Sequence, residues 1–265
     1  MLKFDLYSDI HLDHWESYGY DLDEYLPIPK SENLIIAGDI ATNLADYHPS
    51  VSKLFSRLSE TYKQIYIVLG NHDYWGGDLL TEAFFTQERY PNITVLDNSS
   101  IVIPEYNLRI LGATMWTNIS PPLYNYIANR MNDYNYIKCD NNRATVQNTV
   151  DEYNKTIKYI TNTIEQENNP DVKQYLIVTH HAPSFMSADP RYTDNLTEAY
   201  CNNLDNFIDT HPKIRYWVHG HIHSADEYQI NQTTVMCNPI GYPHGYCSKI
   251  EPYQIVINPV TNVNT

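Results

Sequence analysis

Five stretches of this sequence carry side chains that bind metals and move protons: Asp9-x-His11, Gly38-Asp39, Gly70-Asn71-His72-Asp73, His180, and Gly220-His221-x-His223. Carboxylate, imidazole and carboxamide groups with no thiolate form a hard-to-borderline donor set, which suits divalent Mn, Fe, Zn, Co or Ni. Side chains two residues apart on an extended backbone project to one side, so Asp9 pairs with His11 and His221 with His223. Singly these motifs carry little weight. Asp-x-His and Gly-Asp recur by chance, Gly-His-x-His is moderately specific, and Gly-Asn-His-Asp is the least common. Their joint occurrence is the signal.

Short apolar runs precede all five. Lys3–Tyr7 alternates, and Asn33–Ala37, Gln64–Leu69, Gln174–Thr179 and Ile214–Val218 are largely apolar; each runs into one of the motifs. Such runs, bounded by glycine or turn residues, read as buried strands. Ligands of open α/β sheets gather at the carboxyl ends of strands, so five loaded strand ends point to one shared site. Val51, Leu54, Phe55 and Leu58 fit one face of a short helix, and Val146, Val150, Tyr153, Ile157, Ile160 and Ile164 one face of a long one. Further helices are expected over Asp78–Gln87 and near Leu196–Ile208. Ser120–Asn142, rich in Pro, Asn and Tyr and without periodicity, is expected to be a loop, either over the site or a plain connector. No repeat, linker or composition break divides the chain, so residues 1–265 are read as a single domain.

In their order along the chain, the motifs from Asp9 to His223 resemble those of the calcineurin-like metallophosphoesterases, a family that includes phosphatases, phosphodiesterases and a nuclease. Gly112–Thr117 and Cys237–Tyr242 further look like segments of small bacterial or phage members, which more often carry Asp where this chain has Asn118. The resemblance implies an α/β fold: a four-layer αββα sandwich of two mixed sheets flanked by helices. It implies that Asp9, His11 and His223 bind one metal ion and Asn71, His180 and His221 a second. Asp39 and a hydroxide would bridge the pair, and the hydroxide would attack a phosphodiester or phosphomonoester. Two ions about 3.5–4 Å apart can hold phosphate oxygens, acidify water and stabilise charge in an in-line displacement. His72 would contact the phosphoryl oxygen or protonate the leaving group. That makes Asp39 and His72 the catalytic residues, with Asn71 and His72 also facing substrate.

Other residues carry two readings each. Asp73 either orients His72 or holds a turn. His181 and His219, beside ligands, are expected to back them or to pack. Arg191 is a phosphate clamp or a solvated loop arginine, and Tyr192 has the same standing. Tyr74 and Trp75 wall a pocket or belong to the core. His14, His48, His211 and His244 lack motif context and are expected to be exposed or locally bonded. The net charge of −15, from 17 basic and 32 acidic residues, works against a broad grip on nucleic acid. It is compatible with a small phosphorylated substrate, because bound metals reverse the local field. A nuclease within a DNA-processing complex, whose partner supplies the basic surface, is the alternative; a non-catalytic scaffold on the same fold is the third reading. The four cysteines form no Cys-x-x-Cys pair and read as free thiols. No leader pattern opens the chain, and no apolar run nears the roughly 20 residues of a membrane span. A cytoplasmic protein without membrane contact is expected.

Overall fold

Alternation along the strands decides how they stack. In the sequence Leu2–Tyr7, Phe4 and Leu6 point one way and Tyr7 the other; in Gln174–Thr179, Leu176 and Val178 oppose Tyr175 and Ile177. A strand apolar on both faces must be covered on both, so sheets of such strands form inner layers. A computed structural model describes residues 1–21, 26–44, 49–80, 89–189, 194–243 and 251–260.

In chain order the elements are β1 (Leu2–Tyr7), α1 (Leu12–Ser17), β2 (Asn33–Ala37), α2 (Pro49–Thr61), β3 (Gln64–Val68), β4 (Ile93–Val95), β5 (Ser99–Ile103) and β6 (Leu108–Ala113). Then come α3 (Tyr124–Ala128), α4 (Asp133–Tyr136), β7 (Lys138–Cys139), β8 (Asn142–Arg143), α5 (Val146–Glu165) and β9 (Gln174–Thr179). The chain continues through α6 (Asp205–Thr210), β10 (Ile214–His219), β11 (Asp226–Ile230), β12 (Thr233–Cys237) and β13 (Tyr253–Ile257). One sheet has the order β13-β1-β2-β3-β4 and the other β11-β12-β10-β9-β6-β5. Within each, the inner strands run parallel, while β13, β5 and β11 pair antiparallel. Phe4, Leu6, Ile35, Tyr66 and Val68 of the first sheet meet Ile110, Leu176, Val178 and Val218 of the second in one buried cluster. Leu34, Ile36, Ile65 and Ile67 share an outer cluster with Val51, Leu54, Phe55 and Leu58 of α2, as do Tyr175, Ile177 and Trp217 with Tyr153, Ile160 and Ile208 of α5 and α6. Two mixed sheets flanked by helices result, as the resemblance implied.

The long helix starts where its cap dictates. Asn148 N donates to Thr145 Oγ1 at 3.3 Å, and Thr145 N donates back to Asn148 Oδ1 at 2.9 Å. This reciprocal box satisfies two of the first-turn donors. Ser120–Asn142 is not an irregular loop. It holds α3, α4 and the β7–β8 hairpin, and Ile127, Met131 and Tyr134 pack with Val146 and Val150 of α5. The helix expected near Leu196–Ile208 is broken. Cys201 bridges to Ala182, Asn202 N donates to Ala182 O at 2.9 Å and Leu204 N to Pro183 O at 2.9 Å, pulling the chain extended between a short turn at Thr197–Ala199 and α6. Of the expected Asp78–Gln87 helix, Asp78 instead bridges to Lys138, and residues 81–88 lie outside the described residues. Cys139, Cys201 and Cys237 are free thiols, and Cys247 lies outside the described residues. No described helix is long and apolar enough to cross a membrane.

Arg109 on β6 ties the far end of α5 down. Its Nε donates to Glu167 Oε2 at 2.6 Å, its Nη2 to Oε1 at 3.2 Å and its Nη1 to Ser100 Oγ at 2.9 Å. Burial pushes the Glu167 carboxyl up, but its bonds to Arg109 and to backbone N–H groups prevail and hold it below the usual glutamate value. A carboxylate with a depressed pKa contributes stability that is present above its unfolded value and lost as pH falls through the folded one. Glu167→Gln is therefore expected to cost about 1–2 kcal/mol at pH 7. In urea unfolding the gap between wild type and variant should close below roughly pH 4; a gap unchanged at pH 3 would contradict this account.

Candidate metal centre

The carboxyl ends of β1, β2, β3, β9 and β10 meet at one edge of the sandwich, and their loops are stitched together by main-chain bonds. Asp9 N donates to Gly38 O at 2.9 Å, His11 N to Asp39 O at 3.0 Å and Gly220 N to His180 O at 3.0 Å. Leaving the strands at once requires sharp turns. Asp9, His11, Asp39 and His221 accordingly hold φ of 50°, 47°, 55° and 65°. Left-handed backbone costs a non-glycine residue roughly 1–3 kcal/mol and persists only where the surroundings over-determine it. Here Asp73 supplies much of that determination. Its carboxylate accepts from Asp39 N, Ile40 N, Ala41 N and Gly70 N at 2.9, 2.9, 3.1 and 2.7 Å. These contacts are with the turns that carry Asp39 and Gly70.

Six of the expected ligands fall into two groups that share Asp39. Donor atoms of Asp9, His11, Asp39 and His223 lie within 4.8 Å of one another, and so do those of Asp39, His180 and His221. Asp39 Oδ2 is 3.7 Å from His11 Nε2, and Oδ1 is 3.3 Å from His180 Nε2. The seventh, Asn71, belongs with the second group, its Oδ1 3.0 Å from His180 Nε2. Asp9 Oδ1 sits 3.4 Å from His223 Nε2 and accepts from His221 N at 2.9 Å. His223 is part exposed, whereas Asp9, His11, Asp39 and His180 are at most 1% exposed.

These atoms call for a cation between them. His180 Nδ1 donates to Ala37 O at 2.8 Å, which leaves Nε2 as a lone pair aimed at two further acceptors, Asn71 Oδ1 and Asp39 Oδ1. His221 Nε2 is buried with no hydrogen-bond partner among the described residues, and His11 Nε2 lies 3.1 Å from His223 Nε2. Converging buried acceptors are costly unless something positive satisfies them. Without an ion the protein would recruit a proton: burial pushes His180 down, but the Asp39 carboxylate overrides it and lifts the imidazole to about 9. Asp39 also resists burial, held far below the usual carboxylate range by His180, His72 and His11. The donor set is nitrogen and oxygen only, and fits divalent transition metals.

His72 is a member of neither group, though its ring lies 4.6 Å from that of His11. Its backbone N–H donates to Asp39 Oδ1 at 2.9 Å, its ring stacks on Trp75 at 3.7 Å, and burial holds its pKa below the usual value. His181 donates from Nδ1 to Thr114 O at 3.2 Å, 4.4 Å ring to ring from His221; burial lowers it to about 3. His219 donates to Gly220 O at 2.8 Å and accepts from Ser187 Oγ at 2.9 Å, so it packs behind the site. Tyr74 is core, bonded to Thr114 Oγ1 at 3.2 Å, whereas Trp75 walls His72. His211 is locally bonded to Phe207 O at 2.7 Å. Arg191, Tyr192, His48 and His244 lie outside the described residues. Three side chains escaped the sequence reading. Asp133 accepts from Asn71 Nδ2, Tyr200 stacks on His221 at 4.8 Å, and Tyr242 stacks on His11 at 4.5 Å and touches His14. The only hint for Tyr242 was its place in the Cys237–Tyr242 segment.

A dinuclear-type donor cluster at the strand ends of a two-sheet sandwich defines the class, and the comparisons agree. The model of the calcineurin-like phosphoesterases matches residues 2–225, and the chain belongs to that family. It is 30% identical over 264 residues to an uncharacterized protein of Acanthamoeba polyphaga mimivirus, covering 89% of this chain and 90% of that one. Its fold is similar to that of a phosphopantetheinyl hydrolase from Mycobacterium tuberculosis, with a TM-score of 0.72 and 15% identity over 97% of this chain and 96% of the other. A dimetal phosphatase from Danio rerio aligns with a TM-score of 0.50 and 11% identity over 89% and 86% of the two chains.

Gly70 has no room for a side chain. A Cβ there would overlap Asp39 Oδ1 and stand 2.7 Å from His180 Cε1. Gly70→Ala is expected to fold yet bind metal on the order of tenfold or more weakly, read as metal content by plasma mass spectrometry beside far-UV circular dichroism. Full metal content in a folded variant would show that Asp39 does not need this space.

Proposed function

We propose that this chain is a dinuclear metal-dependent hydrolase of small phosphorylated molecules, with a phosphodiester slightly favoured over a monoester. One observation carries the reading: Asp39 turns its two oxygens to two separate groups of imidazoles, and His72 stands beside it without belonging to either. Two divalent ions (Mn, Fe, Zn, Co or Ni), when bound, would polarise the phosphoryl group and acidify the attacking water. Asp9, His11 and His223 would hold one and Asn71, His180 and His221 the other, with Asp39 shared.

The chain's own groups supply the rest. Asp39 is fixed through the four backbone bonds of Asp73 and through the N–H of His72 to its Oδ1, so its carboxylate keeps one orientation. The Ala37 carbonyl accepts from Nδ1 of His180, so that Nε2 is the nitrogen left to face a bound ion. His72, whose pKa burial lowers, offers in its neutral form one ring N–H that can meet a phosphoryl oxygen; protonating the leaving oxygen would call on its imidazolium form, which returns to neutral imidazole as the proton is passed on. The net charge of −15 supports a compact substrate over duplex nucleic acid, whose binding needs clustered cations. The fold-level likeness to a phosphopantetheinyl hydrolase adds phosphopantetheinyl esters to the substrates worth testing.

With Mn²⁺, wild type is expected to hydrolyse bis(p-nitrophenyl) phosphate faster than p-nitrophenyl phosphate. Asp39→Asn should lose at least one equivalent of metal and nearly all turnover; full activity in that variant would end the shared-ligand role. His72→Ala should keep both ions and lose roughly 10²–10⁴-fold in kcat, whereas loss of metal would make His72 a ligand. A panel of nucleotides, cyclic nucleotides, glycerophosphodiesters, phosphopantetheinyl esters and phosphopeptides would rank the substrates.

A further inference from the structure

A carboxamide ligand has an ambiguity that carboxylates and imidazoles lack. Its oxygen accepts and can bind a cation, its nitrogen donates and cannot, and a half-turn about the last bond exchanges them with little change in shape. At Asn71 the neighbouring ligand can pull toward the wrong choice. In the neutral form that binds a metal, His180 Nδ1 is committed to Ala37 O, so His180 Nε2 is an acceptor, and an acceptor 3.0 Å away would prefer the amide NH₂. In that form His180 alone would turn Asn71 Nδ2 into the centre.

Asp133 opposes this from the other side. Its side chain is 4% exposed, and its Oδ1 accepts from Asn71 Nδ2 at 2.7 Å. The same oxygen accepts from the indole Nε1 of Trp75 at 2.8 Å. An indole N–H can only donate, so Asp133 Oδ1 accepts there, as a carboxylate or carbonyl-type oxygen does, and such an oxygen is suited to a second donor. The NH₂ group of Asn71 is the end of the amide that fits it. The geometry points to Asp133 as a positioning residue that sets which atom of Asn71 faces the metal centre, and that also holds, through Trp75, the ring against which His72 lies. This inference rests on the metal-binding reading above, since orientation matters only if Asn71 is a ligand.

The placement has a structural basis. Asp133 opens α4, and Tyr134 beside it is buried in the cluster that α3 and α4 form with α5, bonded to Thr149 Oγ1 at 3.1 Å. Gly76 N donates to Tyr136 O at 2.9 Å, and Lys138 N to Gly77 O at 3.0 Å, so the loop carrying Trp75 is laced to the same segment. The segment thus brings one acceptor oxygen against two donors from the β3 loop and fixes both.

The test separates orientation from charge and from folding. Metal binding is followed by Co²⁺ titration, using visible absorption and calorimetry, on wild type, Asp133→Asn and Asp133→Leu. The asparagine keeps an acceptor oxygen, so it should bind both equivalents within about threefold of wild type. The leucine has no acceptor and should bind one of the two equivalents roughly 10–100-fold more weakly, leaving the other unchanged. Asn71→Asp supplies the control, because a carboxylate presents oxygen either way round. In that background Asp133→Leu should not weaken Co²⁺ binding, so the two changes should be strongly non-additive. If the leucine variant fails to fold, Asp133→Ala takes its place under the same criteria. Wild type that binds two equivalents while the folded leucine variant binds them equally well would overturn the inference alone, as would equal weakening by asparagine and leucine. Wild type that takes up no Co²⁺ would overturn the metallohydrolase reading, and the inference with it.

Discussion

The carboxylate of Asp39 is the charge around which this end of the molecule is built. At 1% exposure it has surrendered water, and burying an unpaired carboxylate is among the costliest things a fold can do. The compensation comes from both sheets at once. His11 follows β1, His72 follows β3 and donates its N–H, and His180 follows β9 in the opposite sheet. The two sheets are therefore held in register at this edge by electrostatics as well as by the apolar cluster between them. A change that displaces Asp39 would leave its imidazoles unpaired, so ligand placement and local stability are one problem.

Backbone strain follows from the same demand. Ligands pointing into a narrow space from five strand ends must leave the strands abruptly, and four of those residues sit in the left-handed region. Such conformations need bonds that forbid relaxation. Asp73 provides four of them, and main-chain bonds between the loops after β1, β2, β9 and β10 provide others. A residue outside both candidate ligand groups therefore governs how well their members are placed.

What the sequence made legible was what depends on local chemistry. Strand periodicity, the helix faces of α2 and α5, and the ordered ligand motifs can all be read within a few residues of one another. Asp133 could not be read so: it lies 62 residues from the amide it accepts from, in a stretch whose Asn- and Tyr-rich composition hides the short helices that α5 organises. The break between Thr197–Ala199 and α6 was hidden for the same reason, since main-chain pairing with Ala182 and Pro183 overrides the local helical pattern. Tyr200 and Tyr242 belong to the same class of misses. Stacking on a histidine leaves no periodic trace.

The two candidate metal-binding groups are also unlike in their surroundings, which bears on how a metal pair would be held. His180, His221 and Asn71 are buried, backed by Tyr200, His181 and Asp133, with a tautomer and an amide each fixed by a named partner. His223, on the other side of Asp39, is part exposed, and its group is walled by the Tyr242 ring and the half-exposed His14. Rigid, fully bonded ligands favour a tightly held ion, and a wall open to solvent favours exchange and access. Among the described residues the more solvent-facing side of the centre is bordered by Tyr242, His14 and His223. Such asymmetry would let one half of a metal centre stay assembled while the other exchanges with solvent.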